Sequence, residues 1–283
     1  MNTEPIRRQS IRWARRRVGN IDPLEAYGLP SRGETGLFDY KAQEKYYNEI
    51  VERYIKFYAA SKGESGMVDL EQSFADMLIK DDSPKGTSKD MSVILMAMRK
   101  LREGITSSRR CDHFAQRAYV FIVHAGILAR HWETYQPALN YLLNCIHPQT
   151  PLSPPELQEV VSYQALDLAC RQDELMDAFA VKQAHKINDR VVNAVLISLV
   201  QDNWVRFWRL QKLVDGYQHA LMEFSRERMR THTLKCLGRS YLKADQDFVE
   251  RSADASWSEL VKGGVGWQLQ EDKSVVIRKP RAG

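Results

Sequence analysis

Cys111-Asp112-His113 places a thiol, a carboxylate and an imidazole in consecutive positions, the ingredients of nucleophilic catalysis. Consecutive residues on a helix point in different directions around its axis, and no nearby pattern offers an oxyanion hole, so a structural role is expected. Cys111, Cys145, Cys170 and Cys236 form no C-x-x-C pair, and the histidines show no H-E-x-x-H spacing, so no metal site is expected. His124 and His131 lie two helical turns apart, a spacing of packing or surface groups. Cys145 and Cys170 sit in apolar patterns, where a thiol behaves as a small hydrophobe, and reduced thiols are expected. Gly263-Gly264-Val265-Gly266 has the glycine content of a phosphate loop, but no Lys-Ser/Thr follows, so these glycines are expected to lead into a turn. The chain therefore reads as non-enzymatic, with no catalytic residue, cofactor, metal or small-molecule substrate.

The 283-residue chain carries 41 Lys and Arg against 36 Asp and Glu. Residues 1–20 hold six of these arginines and a single acid, Glu4, so the net charge of +5 resides in this arm and the remainder is balanced. Arg7, Arg8, Arg12, Arg15, Arg16 and Arg17 flank Trp13; arginines contact phosphates and an indole stacks on bases, so nucleic-acid binding is one reading. A nuclear import signal, an Arg-rich mitochondrial transit peptide and a solvated tail share this composition. The arm lacks the continuous apolar run of a secretory signal, and no stretch reaches the length of a membrane span. A soluble, intracellular protein of the nucleus or cytoplasm is expected, without a membrane partner.

The elements behind these residues are mostly helical. Residues 20–36, rich in Gly and Pro, read as a linker or an irregular segment packed across the body. Tyr46, Ile50, Tyr54 and Phe57 mark a helix from about 40 to 61; Val68, Phe74, Met77 and Leu78 suggest a second; Ile94, Leu95, Met98 and Leu101 a third, ended by a loop over 104–109. Phe114, Ala118, Ile122 and Ala125 face Tyr135, Ala138, Leu139 and Leu142 across a short connection, with Gly126 permitting close approach. Ser153-Pro154-Pro155-Glu156 is a capping box that starts a helix running to about Arg171, Asp173 is placed to cap the next, and Asp189 the one after. Successive helical hairpins without a fixed-period repeat fit a degenerate, TPR-like helical-repeat solenoid.

Trp204, Phe207 and Trp208 recur at helical spacing and form an aromatic anchor for the C-terminal quarter of the chain. Three more helical patterns lead to two short apolar runs, around Trp267-Leu269 and Val275-Ile277, on either side of the polar Glu271-Asp272-Lys273, which predicts a β-hairpin. Helices closed by a hairpin is the order of a winged helix. In this order the chain resembles a PCI module, a helical-repeat array fused to a C-terminal winged helix, found in subunits of the proteasome lid, the signalosome and a translation initiation factor. Asn203-Trp204-Val205-Arg206-Phe207-Trp208 resembles the corresponding run of mRNA-export scaffolds of the GANP type, and Gly266-Trp267-Gln268 with Val276-Ile277-Arg278-Lys279-Pro280 is similar to the end of the smallest signalosome subunit.

The resemblance implies a mainly α chain divided into a basic arm (1–19), an irregular segment (20–36), a helical-repeat domain (37–222) and a winged-helix domain (223–283). It implies a scaffold or adaptor subunit whose partners are other PCI-domain subunits, docked through Gly266, Trp267, Gln268, Leu269, Val275, Val276 and Ile277. A second expectation is a nucleic-acid-binding adaptor for RNA or DNA, in which Arg226, Arg228, Arg230, Lys273, Arg278, Lys279 and Arg281 extend the basic arm into a path over phosphate.

Overall fold

The computed structural model describes residues 22–62 and 88–278, and the chain is mainly α. The arginine-rich arm, the expected helix around Phe74 and the tail from Lys279 lie outside the described residues. Residues 22–39 cross the body in three single 3-10 turns that bury Leu24, Pro30 and Leu37. The Tyr46 hydroxyl donates to the Leu24 carbonyl at 2.7 Å, holding this segment against α1, Tyr40–Lys62. Helix α2, Ser88–Ser107, packs on α1. It runs to Ser107, into the stretch expected to be a loop over 104–109, and Gly104 packs where a side chain does not fit: a Cβ there would lie 2.8 Å from Leu37. This glycine serves contact rather than chain reversal.

Helices α3, His113–Leu128, and α4, Trp132–Tyr141, form the next pair. Their backbones meet at Gly126, where a Cβ would come within 2.9 Å of the Tyr135 Cβ, and Arg130 turns the chain with φ 51°. Helix α4 continues into a π turn, Leu142–Ile146. Helix α5, Pro154–Leu166, starts at the capping box read from Ser153 and Glu156 and also ends in a π turn, Asp167–Arg171. There the fully buried Asp167 accepts from Tyr135 Oη at 2.6 Å, from Arg171 Nε and Nη2 at 2.7 Å each, and from Gln172 Nε2 at 2.9 Å. Asp173 caps nothing; it occupies the left-handed region at φ 63°, and its carboxylate pairs with Arg228 at 2.8 Å.

Helix α6, Leu175–Ala184, packs on α5, and α7, Arg190–Val200, capped by Asp189, packs on α8, Trp204–Gln211. Phe207 and Trp208 are buried as expected, while Trp204 is half-buried. Helix α9, Gly216–Met222, touches both α3 and α5 and so closes the body. One connected apolar core extends from Leu24 to Met229. A 3-10 turn, Glu223–Ser225, then passes without a break into α10, Arg226–Ser240. No helix among the described residues is long and apolar enough to cross a membrane.

Candidate docking site

After α10 the chain forms strand β1, Lys243–Asp245, helix α11, Gln246–Ala253, helix α12, Trp257–Lys262, and strands β2, Gln268–Leu269, and β3, Ser274–Val276. Helix α12 starts at a second capping box, Ser256 with Glu259. These elements enclose a small core of their own: Val249, Ala253, Leu260, Val275 and Ile277, with Leu234, Trp257 and Trp267 packed on it. Gly263 ends α12 by donating to the Glu259 carbonyl at 2.8 Å, and Gly264 turns the chain at φ 90°, so the glycine run serves the entry to β2.

The strands lie in the order β1-β3-β2, both pairs antiparallel, with Val276 opposite Lys243 on one side and Gln268 on the other. Strand β1 is absent from the sequence expectation, and its presence changes which backbone is open. Along β3 the hydrogen bonds alternate: Ile277 N–H donates to Leu242 O at 2.9 Å toward β1, whereas Ser274 O accepts from Gln270 N–H at 2.8 Å toward β2. Val276, two residues from Ser274 and opposite Gln268, points its N–H toward β2 as well. Val275, Val276 and Ile277, expected at a docking edge, therefore lie in the centre of the sheet, and Val275 and Ile277 are buried.

The open edge narrows to Gly266–Leu269. Because Gln270 N–H points at β3, the alternation turns the backbone groups of Leu269 and Trp267 outward. Leu269 and Gln268 are exposed, Gly266 is exposed with open space around it, and Trp267 is half-buried beside Gly238. The outer edge of β1 carries the exposed charges of Lys243 and Asp245 instead, which blunt an edge against pairing. The turn between β2 and β3 is held by Asp272, which accepts from the Ser274 hydroxyl and amide and from Lys243 Nζ at 3.1 Å. These bonds, Ser274 first and Lys243 second, pull the Asp272 carboxyl down to about 2.

No protein-family model and no curated protein matches the chain.

The joint between this unit and the body uses arginines expected on a nucleic-acid path. Arg226 bridges Glu223 at 3.4 Å and Asp254 at 3.2 Å; Arg230 donates to the carbonyls of Ala253 at 3.1 Å and Asp254 at 2.9 Å; Arg228 reaches back to Ala169 O at 3.1 Å and to Asp173. Trp208 Nε1 donates to Ser252 O at 2.9 Å, and Asp254 holds its place in the left-handed region at φ 48°. Arg278 donates to Arg239 O at 2.8 Å, and Lys273 is exposed in the turn at φ 60°. Arg7, Arg8, Arg12, Trp13, Arg15, Arg16, Arg17, Lys279 and Arg281 lie outside the described residues.

Cys111, Asp112 and His113 do not converge. Asp112 caps α3 through Ala115 N–H at 2.9 Å and pairs with Arg110 at 2.8 Å, while His113 Nδ1 faces Gln116 Oε1 at 3.3 Å. His124 is a packing group, stacked on Tyr217 with ring centres 4.5 Å apart and bonded to Glu159 at 2.9 Å. His131 faces the Thr134 hydroxyl at 2.9 Å, beside the N-terminus of α4. No group of three or more His, Cys, Asp and Glu side chains is placed to hold a metal among the described residues.

Proposed function

We propose that the chain is a non-enzymatic, PCI-type scaffold or adaptor subunit of a multiprotein assembly. It docks through the open edge of its C-terminal sheet, with the helical body as a second contact surface. The observation that carries this reading is the outer edge of β2, where Leu269 is 40% exposed and the backbone groups of Trp267 and Leu269 are unpaired within the sheet. Such an edge accepts a partner strand by main-chain hydrogen bonding. The order helix, strand, helix, helix, strand, turn, strand, set on paired helices, is the order of a winged helix after a helical array and supports the PCI reading. The partners are then other subunits built in the same way.

The alternative, a nucleic-acid-binding adaptor in mRNA processing, export or transcription, has less support. Arg226, Arg228 and Arg230 bond to carboxylates and carbonyls of the chain itself, so that of this path Lys273, Arg278 and the outer part of Arg228 are exposed among the described residues. Purification of the tagged full chain from its native cell, with mass spectrometry of co-purifying proteins, tests the scaffold. One stoichiometric assembly containing helical-array subunits is expected. Recovery of the chain alone, or with RNA as its sole stoichiometric companion, contradicts it.

A further inference from the structure

Arg102 is an anomaly in the charge map of the body. Arg110 answers its burial with Glu44 at 2.6 Å and Asp112 at 2.8 Å, and Arg226 with Glu223 and Asp254. Arg102 is half-buried on α2, its Nε is fully shielded, and its guanidinium takes no hydrogen bond or ion pair among the described residues. Glu103, the carboxylate that acts on it electrostatically, is committed elsewhere: Oε1 accepts from Arg99 Nε at 2.8 Å and Oε2 from Ser31 N–H at 3.2 Å. The Arg102 carbonyl accepts from Tyr119 Oη at 3.3 Å, which fixes the backbone but leaves the charge unanswered. Burial draws the guanidinium below its ordinary pKa, against the pull of Tyr119 and Glu103. Withdrawing a cation from water without a counter-charge is costly, and a bound anion would supply the missing charge.

Arg102 lines a cavity of about 360 Å³. Ser31, Thr106 and Ser107 line it as well, and Tyr119 and Tyr141, stacked with ring centres 5.1 Å apart, form an aromatic wall with Pro137. We infer that this cavity binds a small phosphate-type oxyanion borne on a compact apolar group, with Arg102 clamping the oxygens and the tyrosines covering the body. Arginine suits this role because its planar fork engages two oxygens at once. Glu103 also lines the cavity and works against an anion, but Arg99 neutralises it at close range.

The sign of an Arg102→Met substitution separates a ligand site from a structural arginine. Without ligand, Arg102→Met is expected to melt at the wild-type temperature or higher, because removing an unanswered charge costs nothing. Calorimetric titration with phenyl phosphate at constant ionic strength is expected to give saturable binding to wild type, weaker binding of inorganic phosphate, and at least a tenfold loss for both in Arg102→Met. Ser107→Glu, a change at an exposed position, places a carboxylate at the cavity and is expected to abolish binding with the fold intact. Equal binding by wild type and either variant, no binding of phenyl phosphate at millimolar concentration, or a lower melting temperature for ligand-free Arg102→Met would overturn the inference.

Discussion

At Asp272 a single exposed carboxylate sets the geometry of the turn next to the open edge of β2. Its carboxyl is held down near 2 by the Ser274 hydroxyl and amide and by Lys243, below the ordinary value of 3.8. A carboxyl with a depressed folded-state pKa contributes stability that is complete above its unfolded value and lost as pH falls through the folded one. The turn should therefore keep its bonds at neutral pH and loosen between about pH 4 and pH 2. NMR titration of the Asp272 carboxyl is expected to give a midpoint near 2 in wild type and one displaced toward 3.8 in Ser274→Ala. An unchanged midpoint in the variant would remove Ser274 as the cause. At this scale the sequence was readable where a residue acts on its neighbours: Ser153 with Glu156 and Asp189 are caps as their spacing requires. Ser256 with Glu259 has the same spacing and was equally open to reading. Asp173, Gly104 and Arg102 act through groups distant in sequence, Arg228, Leu37 and the Tyr119 wall, and no local pattern reports such contacts.

Among elements, the strand that was not legible matters most. Lys243-Ala244-Asp245 has no β-branched residue, its alternation is too short to read as a strand, and its extended form is imposed by pairing with β3. The hairpin itself was legible from Trp267 to Ile277, but without β1 the central strand was mistaken for an edge. Val276→Pro should accordingly damage the fold of the C-terminal unit, since the lost N–H points at β2; hydrogen exchange in α11 and α12 is expected to accelerate while α1 to α4 keep their protection. Two further elements are held by contacts that a small change tests. Gly126→Ala forces α3 and α4 apart at Tyr135 and is expected to cost about 1–3 kcal/mol in urea denaturation. Asp167→Ala leaves the Arg171 guanidinium and the buried Tyr135 hydroxyl without their shared acceptor beneath the π turn, for an expected loss of about 3–5 kcal/mol. A loss below about 1 kcal/mol in Asp167→Ala would show that water replaces the carboxylate there.

Across the whole molecule, the body and the C-terminal unit have separate apolar cores but a polar joint made by Trp208, Arg226, Arg230 and Asp254. The aromatic helix was legible as an anchor from Trp204, Phe207 and Trp208; that its indole N–H would reach Ser252, 44 positions away, was not. The joint fixes the direction in which the β2 edge faces, so a partner docked there is aligned with the helical body. Assembly through that edge is tested most directly by Leu269→Pro, because the substitution removes an outward N–H and leaves the bonds of β3 untouched. The tagged Leu269→Pro chain should melt within a degree or two of wild type and lose its stoichiometric partner on purification, while Asp245→Ala on the opposite edge retains it. A Leu269→Pro chain that folds normally and still recovers the complete assembly would contradict docking through β2.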